Sequence, residues 1–281
     1  MKNQNIHSCK NKFNFKKIFE NSAYEWRICH DCDLIYQISN TPKLNNIKET
    51  QFNNFEEPQD SAKFEFLSIL NKLQKYTNLT PLSFFDFGCG DGSYLKLAEK
   101  YFQKVHGMEP NIFLKKRAIN KNLNILNDNF FENKDLNFDV IFTRNTFEYV
   151  DDFSATLKKL INNLNDGGYF VWRDKFYDYF PKKYSSLEFS GGFNSLPTKN
   201  AIKFHLSKNQ IEILESRFYF DKSFLIIGKK INSKNMFEKK INLNSIIYNN
   251  YFASRIIYYF VEKMHLFYLN IRKLKNLLKN N

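Results

Sequence analysis

Apolar residues fall into two kinds of run along this chain. Short blocks of nearly consecutive apolar positions stand near Phe84, at KVHGM around Val105, at LNIL (123–126), at FDVIFTRN (138–145) and at YFVWR (169–173). Blocks of this length read as strands, and the apolar run of FDVIFTRN marks that one as buried on both faces. Between them lie segments with helical spacing. SAKFEFLSILNKLQKY repeats Phe64, Leu67, Leu70 and Leu73, SYLKLAEKYF starts at Ser93, and IFLKKRAINK follows from Ile112. A longer helical segment, TFEYVDDFSATLKKLINNL, carries Asp151-Asp152 ahead of a run of good helix formers. Asn165-Asp166-Gly167-Gly168 reads as a turn. SKNQIEILESRFYF (207–220) reads as a last helix and KSFLIIGKK (222–230) as a closing strand. Alternating strands and helices predict an α/β fold, a mostly parallel sheet with helices on both faces, and a ligand at the carboxyl ends of the strands.

Three stretches break the pattern. Residues 1–60 hold no sustained period, and with Cys29-x-x-Cys32, Cys9 and His7 they suggest a small ribbon-like segment and linker. Residues 174–205 are aromatic, with Gly191-Gly192 and two prolines, and read as a substrate lid inserted in a domain that spans 61–228. From 229 to 281, Ile256, Phe260, Met264, Phe267, Ile271, Leu274 and Leu278 form a stripe among basic residues. That tail is read as a basic amphipathic helical extension, which could lie on a membrane surface, pair with another helix or cap the protein's own core.

Composition sharpens this only in part. The chain has 281 residues and a net charge of +13, of which residues 229–281 carry +9 through 11 Lys/Arg and two Glu. The remainder is nearly balanced, so the excess argues for an anionic partner of the tail alone, or for a solvated tail. Hydrophobic content of 43% supports a sizeable core. MKNQNIHSCK has no apolar signal region, and no run is long and apolar enough to span a bilayer. The expected location is cytoplasmic, or peripheral at the inner membrane surface.

The candidate chemistry centres on FFDFGCGDG, Phe84 to Gly92. An apolar strand breaks into Gly88, Gly90 and Gly92 before a helix, a sequence of events that brings backbone N–H groups close to a ligand. Glu109 closes the next strand, 21 residues beyond Gly88, near the offset at which nucleotide folds set an acid against ribose hydroxyls. The glycines run G-x-G-x-G behind Asp86, which is not the dinucleotide G-x-G-x-x-G. The form D-x-G-x-G-x-G resembles motif I of the class I S-adenosylmethionine-dependent methyltransferases. The order of the fourth strand, its following loop, the double-glycine turn and the fifth strand is similar to that family over about residues 61–228.

The resemblance implies a Rossmann-like, seven-stranded, mostly parallel sheet and S-adenosylmethionine as cofactor. It implies cofactor contacts from Asp86, Gly88, Cys89, Gly90, Gly92, Glu109, Pro110, Asp128, Asn129, Asn145 and Phe147, Cys89 being also readable as a small packing residue. Glu148 matches the glutamate of a Leu-Glu-His-like motif after the fourth strand, with Tyr149 in place of the histidine. It could act as a base, orient substrate, or simply be a helix-terminal acid. His205 resembles a histidine found before the penultimate helix of relatives, and reads either as a base or as a structural residue. DCDLIY (Asp31–Tyr36) looks like the run after the second cysteine pair in the zinc-ribbon-like segment of some bacterial members. His7, Cys9, Cys29 and Cys32 are then either a structural zinc site or packed thiols of a degenerate ribbon. The function expected is methyl transfer to a small-molecule or sugar acceptor, as in glycan biosynthesis. RNA methylation and a non-catalytic cofactor-binding or membrane-associated assembly role are the alternatives.

Overall fold

The computed structural model describes residues 15–20, 22, 24–39, 60–127, 136–177, 193–219 and 223–231. The chain divides into two compact units, 1–232 and 233–281. The second lies outside the described residues, and with it the tail's apolar stripe; so do His7, Cys9, Asp128, Asn129 and the middle of the 174–205 segment.

The first unit holds β1 (Phe15–Glu20), β2 (Tyr24–Cys29), β3 (Ile35–Ser39), α1 (Asp60–Leu73), β4 (Ser83–Phe87), α2 (Ser93–Ala98), β5 (Lys104–Met108) and α3 (Ile112–Asn120). There follow β6 (Phe138–Arg144), α4 (Phe153–Asn162), β7 (Leu164–Lys175), β8 (Ser195–Leu196), α5 (Lys199–Lys208), β9 (Ile211–Phe218) and β10 (Ser223–Lys230). The main sheet runs β5-β4-β6-β7-β10-β9. The first four strands are parallel, and β10 pairs antiparallel with both β7 and β9. Among the described residues it is thus a six-stranded sheet where seven strands were expected. The segment LNIL contributes only a single parallel bridge, Gly107 to Ile125, at the β5 edge.

The two faces of the sheet bury different helices. Phe85, Phe87, Ile141, Phe170, Trp172, Phe224 and Ile226 meet α4 and α5. Phe84, Val140, Phe142, Val171, Leu225 and Ile227 meet α1, α2 and α3. Burial of each large side chain contributes about 1.5–3 kcal/mol, so the strand blocks must pair at the centre of the sheet. Caps set the helix starts. The side chain of Asn111 accepts from the Phe113 and Leu114 amides, Asp152 from that of Ala155, and Thr198 from that of Ala201.

Two expected elements differ. Asn165–Gly168 is not a free turn but a bulge inside β7: the ladder with β6 jumps from Leu164 to Tyr169, with Gly167 at φ 78. SKNQIEILESRFYF is not a helix. Its IEILESRF part is β9, held in register by β10, and the helix lies one segment upstream as KNAIKFHLSK. Glu and Leu favour helix in isolation, but the ladder with the buried strand β10 decides the conformation. The upstream segment buries Ala201, Ile202, His205 and Leu206, a helical stripe. Of the residues at helical spacing in α1, Phe64 is 76% exposed, whereas Leu70 and Leu73 join Phe66 and Ile69 in the buried face.

The second sheet, β1-β2-β3-β8, joins the N-terminal strands to the 174–205 segment. Tyr36 pairs with Ser195 and Ile35 with Leu196. Trp26, Ile28, Ile35 and Leu196 form its own small core. The turn between β2 and β3 docks on α5, because Thr198 Oγ1 donates to the Asp33 carbonyl and Asn200 Nδ2 to the Asp33 carboxylate. No helix among the described residues is long and apolar enough to cross a membrane.

Candidate active site

Gly88, Gly90 and Gly92 all adopt positive φ, at 78, 59 and 80. The loop is anchored from β5, since the Gly88 and Cys89 amides both donate to the Met108 carbonyl. A Cβ on Gly90 would meet nothing within 4 Å, whereas one on Gly88 would sit 2.3 Å from Thr146 Oγ1. The loop is therefore open at its crest and tight at its base. Cys89 packs beneath it, buried against Gly107, and burial pushes its thiol up. That is the environment of an inert packing residue. At the helix entrance Asp91 accepts from the amide and hydroxyl of Ser93 and pairs with Lys121 at 2.7 Å. Burial opposes ionisation there, but these hydrogen bonds outweigh it and hold the Asp91 carboxyl below its usual range.

Glu109 follows β5. Its carboxylate accepts from the Gly90 amide and from the Asn111 amide, each at 2.8 Å, so the acid across from the loop also fixes the loop's crest. Pro110 is exposed beside it, as are Ile112 and Phe113 at the start of α3, which leaves an apolar surface next to the acid. An open glycine crest, an acid that follows the neighbouring strand and this apolar flank are features that S-adenosylmethionine would require.

Asp86 is 2% exposed in the strand below the loop. Burial first, and then the nearby Glu109 carboxylate, push its carboxyl up to about 8 against the pull of Arg144. An unfolded aspartate ionises near 4, so its contribution to stability is full below that pH and is lost as pH rises through about 8. Asp86→Asn should therefore be more stable than the wild type at pH 8 by about 2–4 kcal/mol, and nearly equal at pH 4–5. Urea unfolding at the two pH values checks this, and a constant difference between the two proteins would refute it.

At the end of β6, Asn145 takes φ 49 and Phe147 is fully buried among Phe87, Phe153 and Trp172. The Phe147 side chain is thus core, and its backbone is tied to Asp174 and Ser195 rather than to the glycine loop. Asp174, at the end of β7, accepts from the Phe147 amide at 3.4 Å, the Trp172 indole at 3.3 Å and the Lys175 amide at 2.8 Å. It pins the turn that carries Glu148. The same turn is held from the other side, where Asn194 and Ser195 donate their amides to the Glu148 carbonyl and Ser195 Oγ donates to that of Phe147. The Glu148 side chain is 5% exposed, with the Tyr177 hydroxyl 3.5 Å from Oε2. Burial, then the Asp174 carboxylate, raise its carboxyl to about 7, with Lys175 opposing. Tyr149, in the position expected for a histidine, is 53% exposed and pushed up to about 12, mainly by burial and by Glu148.

His205 stands elsewhere, 1% exposed on α5, with Nδ1 3.4 Å from Ser154 Oγ and its ring edge-on to Phe153 and Phe204. These are the surroundings of a core residue between α4 and α5. Cys29 and Cys32 are buried thiols in the core shared with α4 and α5. Half of the proposed zinc set lies outside the described residues, and among the described residues no group of three His, Cys, Asp or Glu side chains could hold a metal.

Sequence reasoning missed Asp174, Tyr177, Glu65, Arg144 and Arg173. A signal was present. FDVIFTR and YFVWRDK are buried strands that end abruptly in charge, and charge closing an apolar strand at its carboxyl end marks the ligand side of such a sheet.

The chain matches the family described as "Methyltransferase domain" over residues 61–281. No curated protein sequence matches it significantly. Solved structures share its fold at low identity. One described as a sarcosine dimethylglycine methyltransferase from Galdieria sulphuraria has a TM-score of 0.55 at 10% identity, over 61% of this chain and 87% of that one. Geranyl diphosphate C-methyltransferase from Streptomyces coelicolor has 0.51 at 10% identity, over 60% and 77%. The [4+2]-cyclase SpnF has 0.52 at 10% identity, over 62% and 83%, so the fold by itself does not specify the reaction. With the family matched across more than half of its length, this chain belongs to the class I S-adenosylmethionine-dependent methyltransferases.

Proposed function

We propose that the protein methylates a hydroxyl of a small-molecule or sugar acceptor, with Glu148 as the base. The observation that carries this reading is the Glu148 carboxyl, buried beside Asp174 and raised to about 7, so that near neutral pH it exists in both forms. A base with that property suits proton removal from an alcohol. S-adenosylmethionine, when bound, supplies a methyl group already activated on a sulfonium. The chain's own work is to hold, orient and deprotonate. Gly88 to Gly92 and Glu109 bind the donor, the Asp174-pinned turn sets the direction of Glu148, and Glu148 takes the hydroxyl proton as the acceptor oxygen attacks. Acceptors in glycan assembly fit this chemistry. The basic excess that would favour RNA belongs to the tail, whereas the described core is nearly balanced.

A panel of sugars and sugar nucleotides, read by formation of S-adenosylhomocysteine, tests the proposal. The expected result is turnover that falls as pH drops through about 7, because Glu148 must be ionised to act. Glu148→Gln should lower kcat about 10²–10³-fold and remove that acidic limb. Turnover independent of pH between 6 and 8, or retained in Glu148→Gln, would refute the role given to Glu148. Transfer to RNA and to no small acceptor would refute the acceptor class.

A further inference from the structure

Three consecutive residues of the 174–205 segment grip three consecutive residues of the turn that carries Glu148. The Ser195 hydroxyl donates to the Phe147 carbonyl at 3.0 Å. The amides of Asn194 and Ser195 donate to the Glu148 carbonyl at 2.6 and 3.3 Å. Asn194 Nδ2 donates to the Tyr149 carbonyl at 2.7 Å and reaches Asp151 Oδ1 at 3.3 Å, while the Phe193 ring lies 5.5 Å from that of Tyr149. One segment thus occupies the carbonyls of residues 147, 148 and 149. Asp174 takes the Phe147 amide from the other side, and the Tyr149 amide closes on the Thr146 carbonyl.

The gripping residues are fixed in turn by the N-terminal sheet. The Gln37 amide donates to the Asn194 carbonyl at 2.9 Å, and β8 lies along β3 through the pairs Tyr36–Ser195 and Ile35–Leu196. Ser195 is 3% exposed and Gln37 1%, so water does not compete for these bonds. A strand of two residues is shorter than strands usually run, and β8 is extended because β3 supplies its ladder and the turn its acceptors. The consequence falls on the acid. Glu148 faces Asp174, Lys175, Tyr149 and Tyr177, and its side chain stays buried among them while the turn keeps its course. Carbonyls that lost these donors would turn to water and carry the side chain with them. A misplacement of about 1 Å can cost about 10²-fold in rate.

We propose that Asn194 and Ser195 are positioning residues for Glu148, and that the N-terminal sheet, through β8, is a working part of the catalytic site rather than a separate module. This deepens the proton-removal role given to Glu148 and rests on it. Both residues act through the carbonyls of the turn.

The test follows the Glu148 carboxyl by carbon-13 NMR, on the full chain labelled at its glutamate carboxyls and saturated with S-adenosylhomocysteine. The signal absent from Glu148→Gln identifies it. In the wild type it is expected to titrate near pH 7. In Asn194→Ala and in Ser195→Ala the midpoint should fall by at least about one pH unit toward the ordinary glutamate value of about 4.3, because the freed side chain gains water and leaves Asp174. Asn200→Ala cuts a bond of the same kind between the N-terminal sheet and α5, and should leave the midpoint in place. Truncation of Asn194 spares the backbone bonds, so S-adenosylhomocysteine affinity should stay within about threefold, while kcat with an acceptor falls about 10–100-fold. A wild-type midpoint near 7 that both clamp variants leave unmoved overturns this proposal alone. Equal displacement by Asn200→Ala overturns it too, by reducing the grip to general support of the sheet. Loss of S-adenosylhomocysteine binding in both clamp variants makes the grip a requirement of folding and likewise overturns it. A wild-type midpoint near 4.3, or a wild type that does not bind S-adenosylhomocysteine, overturns the reading beneath the proposal and this assignment with it.

Discussion

Glu109→Ala is expected to bind S-adenosylmethionine at least about 100-fold more weakly than the wild type, a loss of roughly 2.7 kcal/mol. The side chain carries two roles that fail together. Its carboxylate accepts from the amides of Gly90 and Asn111, so its removal leaves the crest of the loop and the start of α3 without their acceptor. Each unsatisfied donor that stays buried costs about 1–3 kcal/mol, and the loop will move to avoid that cost. The same truncation deletes the acid proposed to receive ribose hydroxyls. Glu109→Gln should fall between, since an amide has one acceptor oxygen for two N–H donors. Calorimetric titration of the donor into the three proteins decides the matter, and an alanine variant within threefold of the wild type would sink the assignment.

Gly88→Ala is expected to destabilise the protein by about 3–5 kcal/mol, far more than Gly90→Ala at about 1 kcal/mol. Both glycines sit at positive φ, where an alanine costs about 1–2 kcal/mol. They differ in what a Cβ would meet. At Gly88 it would stand 2.3 Å from Thr146 Oγ1 and 2.6 Å from Cγ2, and at Gly90 it would meet nothing within 4 Å. Thr146 cannot simply swing away, because its hydroxyl donates to the carbonyls of Arg144 and Phe87, which tie the ends of β6 and β4. Urea unfolding of both variants separates the effects: equal losses would mean that the backbone conformation, not the Thr146 contact, dominates. Donor affinity should fall in both.

These two residues were legible in the linear chain because their constraints are local. A strand, three glycines and a helix start within nine residues require a sharp turn whatever the rest of the molecule does. Glu109 was legible through its distance along the chain, which one helix and one strand of ordinary length determine. The buried strands were legible for a related reason, since 138–144 and 169–173 are too continuously apolar to stand anywhere but mid-sheet.

Other parts depend on partners far away in sequence. IEILESRF has the composition of a helix as readily as of a strand, and became β9 because β10 presents it with a buried edge. LNIL was read as a strand but contributes one bridge, for it meets its partner only at Gly107. Phe147 lay in a stretch read as lining the cofactor, yet its side chain turns to Trp172 and Phe153. Nothing in a linear pattern says which way the residue after a strand will point.

By itself, then, the sequence determined the class of fold and the donor, because periodicity, glycine conformation and the spacing from Gly88 to Glu109 act over a turn or one strand-helix unit. Only the tertiary structure brought together the residues around the carboxyl ends of β6 and β7. The pairing of Arg144 with Arg173 through Glu65 joins residues 79 and 108 positions from the glutamate, and the seat of Glu148 is built by Asp174, Tyr177 and the β8 strand that pairs with the N-terminal β3. Contacts of that separation exist only once the sheet has closed, since strand register, not local preference, brings those charges to one edge.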